Sequence, residues 1–184
     1  MEPIRRPAAK MHPDDPAPRA VVLVGHGGVP RDYPRERLMQ LRVLETRRRA
    51  SGSLPSQEEV ALEHELRHWP RTRANDPYQA GLKSLAAHLR PRLEPARLVL
   101  AYNEFCAPTV AEAIRTLAAK GVTDIVAVPS MFTPGGKHAE LEIPETISAL
   151  RAELPHLRMH YAWPFAGEHL AWFFVEHLRQ FDGR

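Results

Sequence analysis

The sequence is short of several things, and each shortage closes off a class of protein. It holds a single cysteine, Cys106, in 184 residues, so it has no internal disulfide framework, and a reducing cytoplasm is the expected setting. No apolar run approaches the roughly 18 residues that span a bilayer, and no membrane association is expected. The opening stretch MEPIRRPAAKMHPDDPAPRA lacks the apolar core of a secretory leader. Neither charge sign dominates: 25 basic and 22 acidic residues leave a formal charge of +3. That excess is too small to require nucleic acid but suits an acidic small molecule. There is no P-loop, no G-x-G-x-x-G and no G-x-S-x-G elbow. With 43% hydrophobic and 26% charged residues, wholesale disorder and fibrous architectures are excluded. Ten histidines are the one surplus, and they point toward metal or proton chemistry.

The length predicts one domain. Residues 1–19 hold five prolines without apolar periodicity and are expected to form a mobile tail ahead of a single α/β domain over 20–184. Ala20–Val24 is a β-branched run ending at Gly25-His26-Gly27-Gly28, which reads as a buried strand of a parallel sheet. Residues 31–75 differ: they carry ten arginines against seven acids and read as an inserted helical hairpin. Its first helix covers about 35–49. The second starts after Ser56, which with Glu59 forms a capping-box signature, and Trp69-Pro70 ends it. Beyond it, Asp76-Pro77 pairs an N-cap with proline at the first helical position, opening a helix that runs to Pro91. Strands at 97–103, 124–129 and 158–163 then alternate with helices at 108–120, 144–154 and 168–181, the first of these stopping at Gly121. The expected fold is a four-stranded parallel sheet with helices on both faces, plus the hairpin.

In such folds ligands bind beyond the carboxyl ends of the strands. Three segments qualify and should converge: His26 among its glycines, the turn Asn103–Cys106, and the loop from Ser130 to Glu142. His26 alone reads equally as a loop histidine held by the backbone or as a functional imidazole. Gly135-Gly136-Lys137-His138 could be a mere turn, and Glu142 could simply favour the next helix N-terminus. Glu104 alone is a surface glutamate; beside two imidazoles it can ligate a metal or accept protons. Cys106 reads as a small buried hydrophobe, and His156, His160, His169 and His177 as structural or exposed.

A separate motif, His64-Glu65-Leu66-Arg67-His68, matches the zinc-protease pattern H-E-x-x-H. Its context is poor: Arg67 sits between the two ligands, Pro70 follows closely, and no third ligand is evident. A zinc metalloprotease is therefore the weaker alternative.

Three fragments in order, Gly25-His26-Gly27, Ala101-Tyr-Asn-Glu104-Phe-Cys-Ala-Pro108, and Gly135-Gly-Lys-His138-x-x-x-Glu142-Ile-Pro144, resemble the sirohydrochlorin cobaltochelatase/ferrochelatase family of type II chelatases. The chain departs from that pattern in having Gly28 where serine is usual, Lys137 where the histidine is expected, and the 31–75 insertion. The resemblance implies insertion of Co2+ or Fe2+ (or Ni2+) into sirohydrochlorin, for sirohaem or cobalamin, with no ATP and no permanently bound cofactor. It assigns metal ligation to His26 and His138 and proton handling to Glu104. Glu142 would orient His138, and Gly27, Gly28, Asn103, Gly135, Gly136 and Lys137 would contact the tetrapyrrole. The arginines of the hairpin would form a basic rim for the eight carboxylates of sirohydrochlorin, or else the hairpin is a solvated one with internal salt links. Because chelatases of this class have two α/β halves, a chain with one half is expected to form a homodimer. A non-catalytic carrier of tetrapyrrole or metal on the same fold is the other alternative.

Overall fold

The computed structural model describes residues 19–181. All but Arg19 of the expected tail lies outside the described residues. Strands β1 (Arg19–Gly25), β2 (Arg97–Tyr102), β3 (Asp124–Pro129) and β4 (Arg158–Tyr161) form one parallel sheet in the order β2-β1-β3-β4. The helices are α1 (Arg35–Ser51), α2 (Gln57–Arg67), α3 (Pro77–Leu93), α4 (Val110–Ala119), α5 (Ile143–Glu153) and α6 (Gly167–Leu178). A π-helical turn spans His138–Glu142 and a 3-10 turn Arg179–Phe181. No helix among the described residues is long and apolar enough to cross a membrane.

β1 is central because it is apolar on both faces. Ala20, Val22 and Val24 point into a core shared with α4 and α5. Val21 and Leu23 alternate to the other face, where Leu82 and Ala86 of α3 cover them. Ile114 and Leu117 of α4 and Ile147 of α5 are almost fully buried, and each such side chain contributes about 1.5–3 kcal/mol. Both faces are thus covered, as the alternating strand and helix pattern predicts.

The hairpin has a small core of its own. Tyr33, Leu41, Leu62 and Leu66 are buried together, with Trp69 and Phe105 packed against them. Three of its arginines are committed to its own acids: Arg37 pairs with Glu65, Arg48 with Glu59 and Arg67 with Glu63.

The caps explain most helix starts. Asp76 accepts a hydrogen bond from the Gln79 N–H, as its sequence position predicts. Ser56 accepts one from Glu59 N–H, but Glu59 does not return the bond. Its carboxylate is buried and takes Arg48 Nε at 2.7 Å instead, because a desolvated charge needs a cation. α4 starts two residues later than expected, behind a full capping box between Thr109 and Glu112. α3 runs past Pro91 to Leu93: a proline in the last turn removes one hydrogen bond and does not stop the helix there. Gly121, at φ 78°, closes α4 in the left-handed region.

Candidate metal centre

The three loops expected to converge do so at the carboxyl end of the sheet. Backbone bonds tie the exit of β2 to the exit of β1: Asn103 N–H donates to the Gly25 carbonyl at 2.9 Å and Glu104 N–H to the His26 carbonyl at 2.8 Å. This close approach requires Gly27. Its φ is +94°, and a Cβ there would lie 1.9 Å from the Glu104 carbonyl oxygen. Phe105 turns the chain at φ 57° and packs its ring against the hairpin core.

His26, Glu104 and His138 come together, each half-buried, with one ligand atom from each within 4.8 Å of the others. The two imidazoles meet edge to face with ring centroids 4.6 Å apart, and His26 Nε2 lies 3.9 Å from Glu104 Oε2. Both rings are oriented by hydrogen bonds. His26 Nδ1 is 2.7 Å from the Gly27 carbonyl oxygen, which can only accept, so Nδ1 carries the proton and Nε2 is left with its lone pair. The backbone N–H of His26 donates to the Tyr78 hydroxyl at 2.7 Å.

His138 is held from behind in the same way. Its Nδ1 donates to Glu142 Oε2 at 2.7 Å, leaving Nε2 as the free ring nitrogen. Asn103 Nδ2 donates to the same oxygen at 2.7 Å, and Lys137 Nζ pairs with Oε1 at 2.5 Å. Burial pushes the Glu142 carboxyl up, but the hydrogen bonds from Lys137, His138 and Asn103 outweigh it and hold it down at about 2. A carboxylate behind a histidine fixes the tautomer and raises ligand basicity.

His26, Asn103, Glu104, Lys137, His138 and Glu142 therefore form one connected cluster. The four glycines shape its loops. The Gly28 carbonyl accepts from Arg71 at 2.8 Å. Gly135 N–H donates to Glu140 at 2.7 Å, and the Gly136 carbonyl accepts from Glu140 N–H at 3.0 Å. Asn103 and Lys137, expected to meet the tetrapyrrole, spend polar atoms on Glu142.

A residue that sequence reasoning missed ties these loops to the hairpin. The Arg71 side chain is only 5% exposed and pairs with the buried Asp76. It also donates to the carbonyls of Gly28, Leu66 and Phe105. Its only sequence signal is its place between the stop of α2 and the cap of α3; among ten neighbouring arginines it does not stand out. Between the hairpin and the Asn103–Phe105 turn lies a cavity of about 250 Å³. Arg42, Arg48, Arg49 and Arg67 reach it from the hairpin, and Glu45 and Glu63 balance them. The expected basic rim is thus thinner than the arginine count implies. Arg48 and Arg67 are paired, Arg49 acts on Glu45, and Arg42 makes no ion pair among the described residues.

The H-E-x-x-H segment does not build a metal site. His64 and His68 stack with ring centroids 4.1 Å apart. His68 Nδ1 donates to the His64 carbonyl, and Glu65 is taken by Arg37. Among the described residues, neither histidine belongs to a three-residue ligand cluster. Cys106 is buried, accepts a hydrogen bond from Gln79 at 3.3 Å, and has its thiol pushed up by burial, as suits a core residue rather than a nucleophile.

Residues 72–176 match the family described as CbiX. A sirohydrochlorin cobaltochelatase of Priestia megaterium is 38% identical over 63 residues, which is 34% of this chain and 20% of that protein. A CbiX protein from Marinobacter aquaeolei VT8 shares the fold, with a TM-score of 0.54 at 16% identity over 89% of this chain and 94% of its own. SirB from Bacillus subtilis, solved with Fe3+, superposes with a TM-score of 0.50 at 18% identity, covering 90% of this chain and 48% of SirB. The chain thus spans about half of SirB, and its match to the Priestia protein spans a fifth of that protein. With more than half of its length matching the family, this chain belongs to the CbiX family.

Proposed function

We propose that this protein catalyses ATP-independent insertion of a divalent metal, cobalt or iron, into sirohydrochlorin, on the route to sirohaem or cobalamin. The observation that carries this reading is the His26–Glu104–His138 cluster, with both histidines oriented through Nδ1 and open at Nε2. Two imidazoles hold a borderline divalent ion without the tight grip of thiolates, and they suit cobalt, iron and nickel alike. The remaining coordination positions belong to water and are open to pyrrole nitrogens.

In the proposed reaction, His26 Nε2 and His138 Nε2 hold the ion while the macrocycle approaches. Four ring nitrogens bond the metal, and the two that carry N–H lose their protons. Two protons leave per turnover, and the Glu104 carboxylate, 29% exposed, takes each in turn and returns it to water. Glu142, ionised and anchored by three donors, keeps His138 in register as charge moves. Arg42 and Arg49 meet carboxylates of the substrate from the hairpin side, which gives the hairpin a lid role.

The test is anaerobic: purified protein, sirohydrochlorin, and Co2+ or Fe2+, with the tetrapyrrole spectrum followed over time. The expected result is turnover above the metal-only control and a large loss of rate in Glu104→Gln with metal binding retained. A single spectral shift proportional to protein would identify a carrier, and no spectral change would refute the reading.

A further inference from the structure

The turn that carries His138 is wound more loosely than an α-helix, and that winding decides which side chains reach Glu142. Ile143 N–H donates to the carbonyl of His138, five residues back, as in a π-helix. On an α-helix only residues three or four apart face each other. Here Glu142 meets both His138, four residues before it, and Lys137, five before it. His138 Nδ1 lies 2.7 Å from Oε2 and Lys137 Nζ 2.5 Å from Oε1. Asn103 Nδ2 joins at Oε2, also at 2.7 Å. The carboxylate behind His138 thus serves three donors, and the histidine is only one of them.

A carboxylate that accepts a hydrogen bond from a histidine Nδ1 pushes electron density toward Nε2 and tightens its bond to a metal. Donors on the carboxylate oxygens draw that density away, and a charged donor draws more than a neutral one. Lys137 carries a full positive charge, so its effect exceeds that of the Asn103 amide. A site that only stores an ion gains nothing from such a donor. A site that must surrender its ion to another set of nitrogens gains a weaker histidine ligand. We propose that Lys137 loosens the grip of His138 on the divalent ion by neutralising Glu142, so that the ion passes to the ring nitrogens of the macrocycle. Lys137 acts through Glu142 and is a positioning residue. Its side chain is 60% exposed, so bulk salt reaches the pair and screens it. The need for a loose grip rests on the chelatase reading, whereas the grip itself is measured on the protein and the ion alone.

The test is the Co2+ affinity of the whole chain, by competition with a coloured chelator and with no tetrapyrrole present. Lys137→Met should bind Co2+ roughly ten-fold more tightly than the unaltered chain at low salt. The gain should be large at about 10 mM salt and shrink at about 1 M. Lys137→Arg keeps the charge and should stay within about two-fold of the unaltered chain. In the Glu142→Gln background, Lys137→Met should change the affinity by less than about two-fold, because no carboxylate is left to neutralise. Weaker or unchanged binding in Lys137→Met would overturn the proposal, and unchanged binding with a raised KM for sirohydrochlorin would give the lysine to the substrate carboxylates instead. An equal gain in Lys137→Arg, or in the Glu142→Gln background, would overturn it too. Co2+ binding by the unaltered chain that His26→Ala does not reduce would refute the chelatase reading itself, and the proposal with it.

Discussion

Arg71 holds the hairpin, the His26 loop and the Glu104 turn in one arrangement, and its removal should be felt in both stability and metal binding. The side chain is 5% exposed and its partner Asp76 only 2%. Arg71→Ala leaves the Asp76 carboxylate buried without its cation, and the carbonyls of Gly28, Leu66 and Phe105 each lose one donor. Breaking a buried pair by removing one partner costs about 3–5 kcal/mol, against a total stability of about 5–15 kcal/mol. For a chain of this length the melting temperature should fall by roughly 6–20 °C. Arg71→Lys keeps the charge, but an ammonium cannot reproduce the forked donor geometry, so it should recover only part of the loss. The Arg71→Ala/Asp76→Asn double variant removes the orphan charge and should be more stable than Arg71→Ala alone. Chemical denaturation of the variants decides the matter. A loss below about 1 kcal/mol for Arg71→Ala would show that the bonds do not hold the loops, and the reasoning would fail.

Gly27→Ala should lower stability by roughly 2–4 kcal/mol and weaken metal binding, because φ +94° and the Glu104 carbonyl leave no room for a methyl group; unfolding curves and metal titrations test both. The Glu142 carboxyl lies at about 2 in the folded protein against an ordinary 4.5. The group therefore adds stability, on the order of 3 kcal/mol, that is fully present above pH 4.5 and lost as pH falls toward 2. Melting curves of the metal-free wild type and Glu142→Gln should differ near pH 6 and converge near pH 2; a constant gap across that window would contradict the assignment.

Much of the architecture was legible because the signals are local. The runs 20–24 and 124–129 stop at glycine or proline, Asp76-Pro77 marks a helix start, and the strand-end rule placed His26, Glu104 and His138 in one region. What escaped depends on contacts between distant residues. The π-helical turn at His138–Glu142 sits where Lys137, Asn103 and His138 all reach Glu142, and neither the glycines before it nor local periodicity reveals it. Arg71 gains its importance from carbonyls on three separate segments. The choice between a rim and internal salt links stayed open for the hairpin because the sequence counts charges without showing that Glu59, Glu63 and Glu65 take up Arg48, Arg67 and Arg37. The alternation of strands and helices marked a helix at 168–181 but not the exposure of Phe173, Phe174 and Leu178 on it.

The most direct test of the account is a Co2+ titration of the protein followed by visible absorption, since the spectrum reports the donor set itself. One equivalent per chain is expected, with the signal lost in His26→Ala and in His138→Ala and unchanged in the His64→Ala/His68→Ala variant. Binding that survives both single substitutions, or that disappears with His64 and His68, would contradict the assignment of the metal to the end of the sheet.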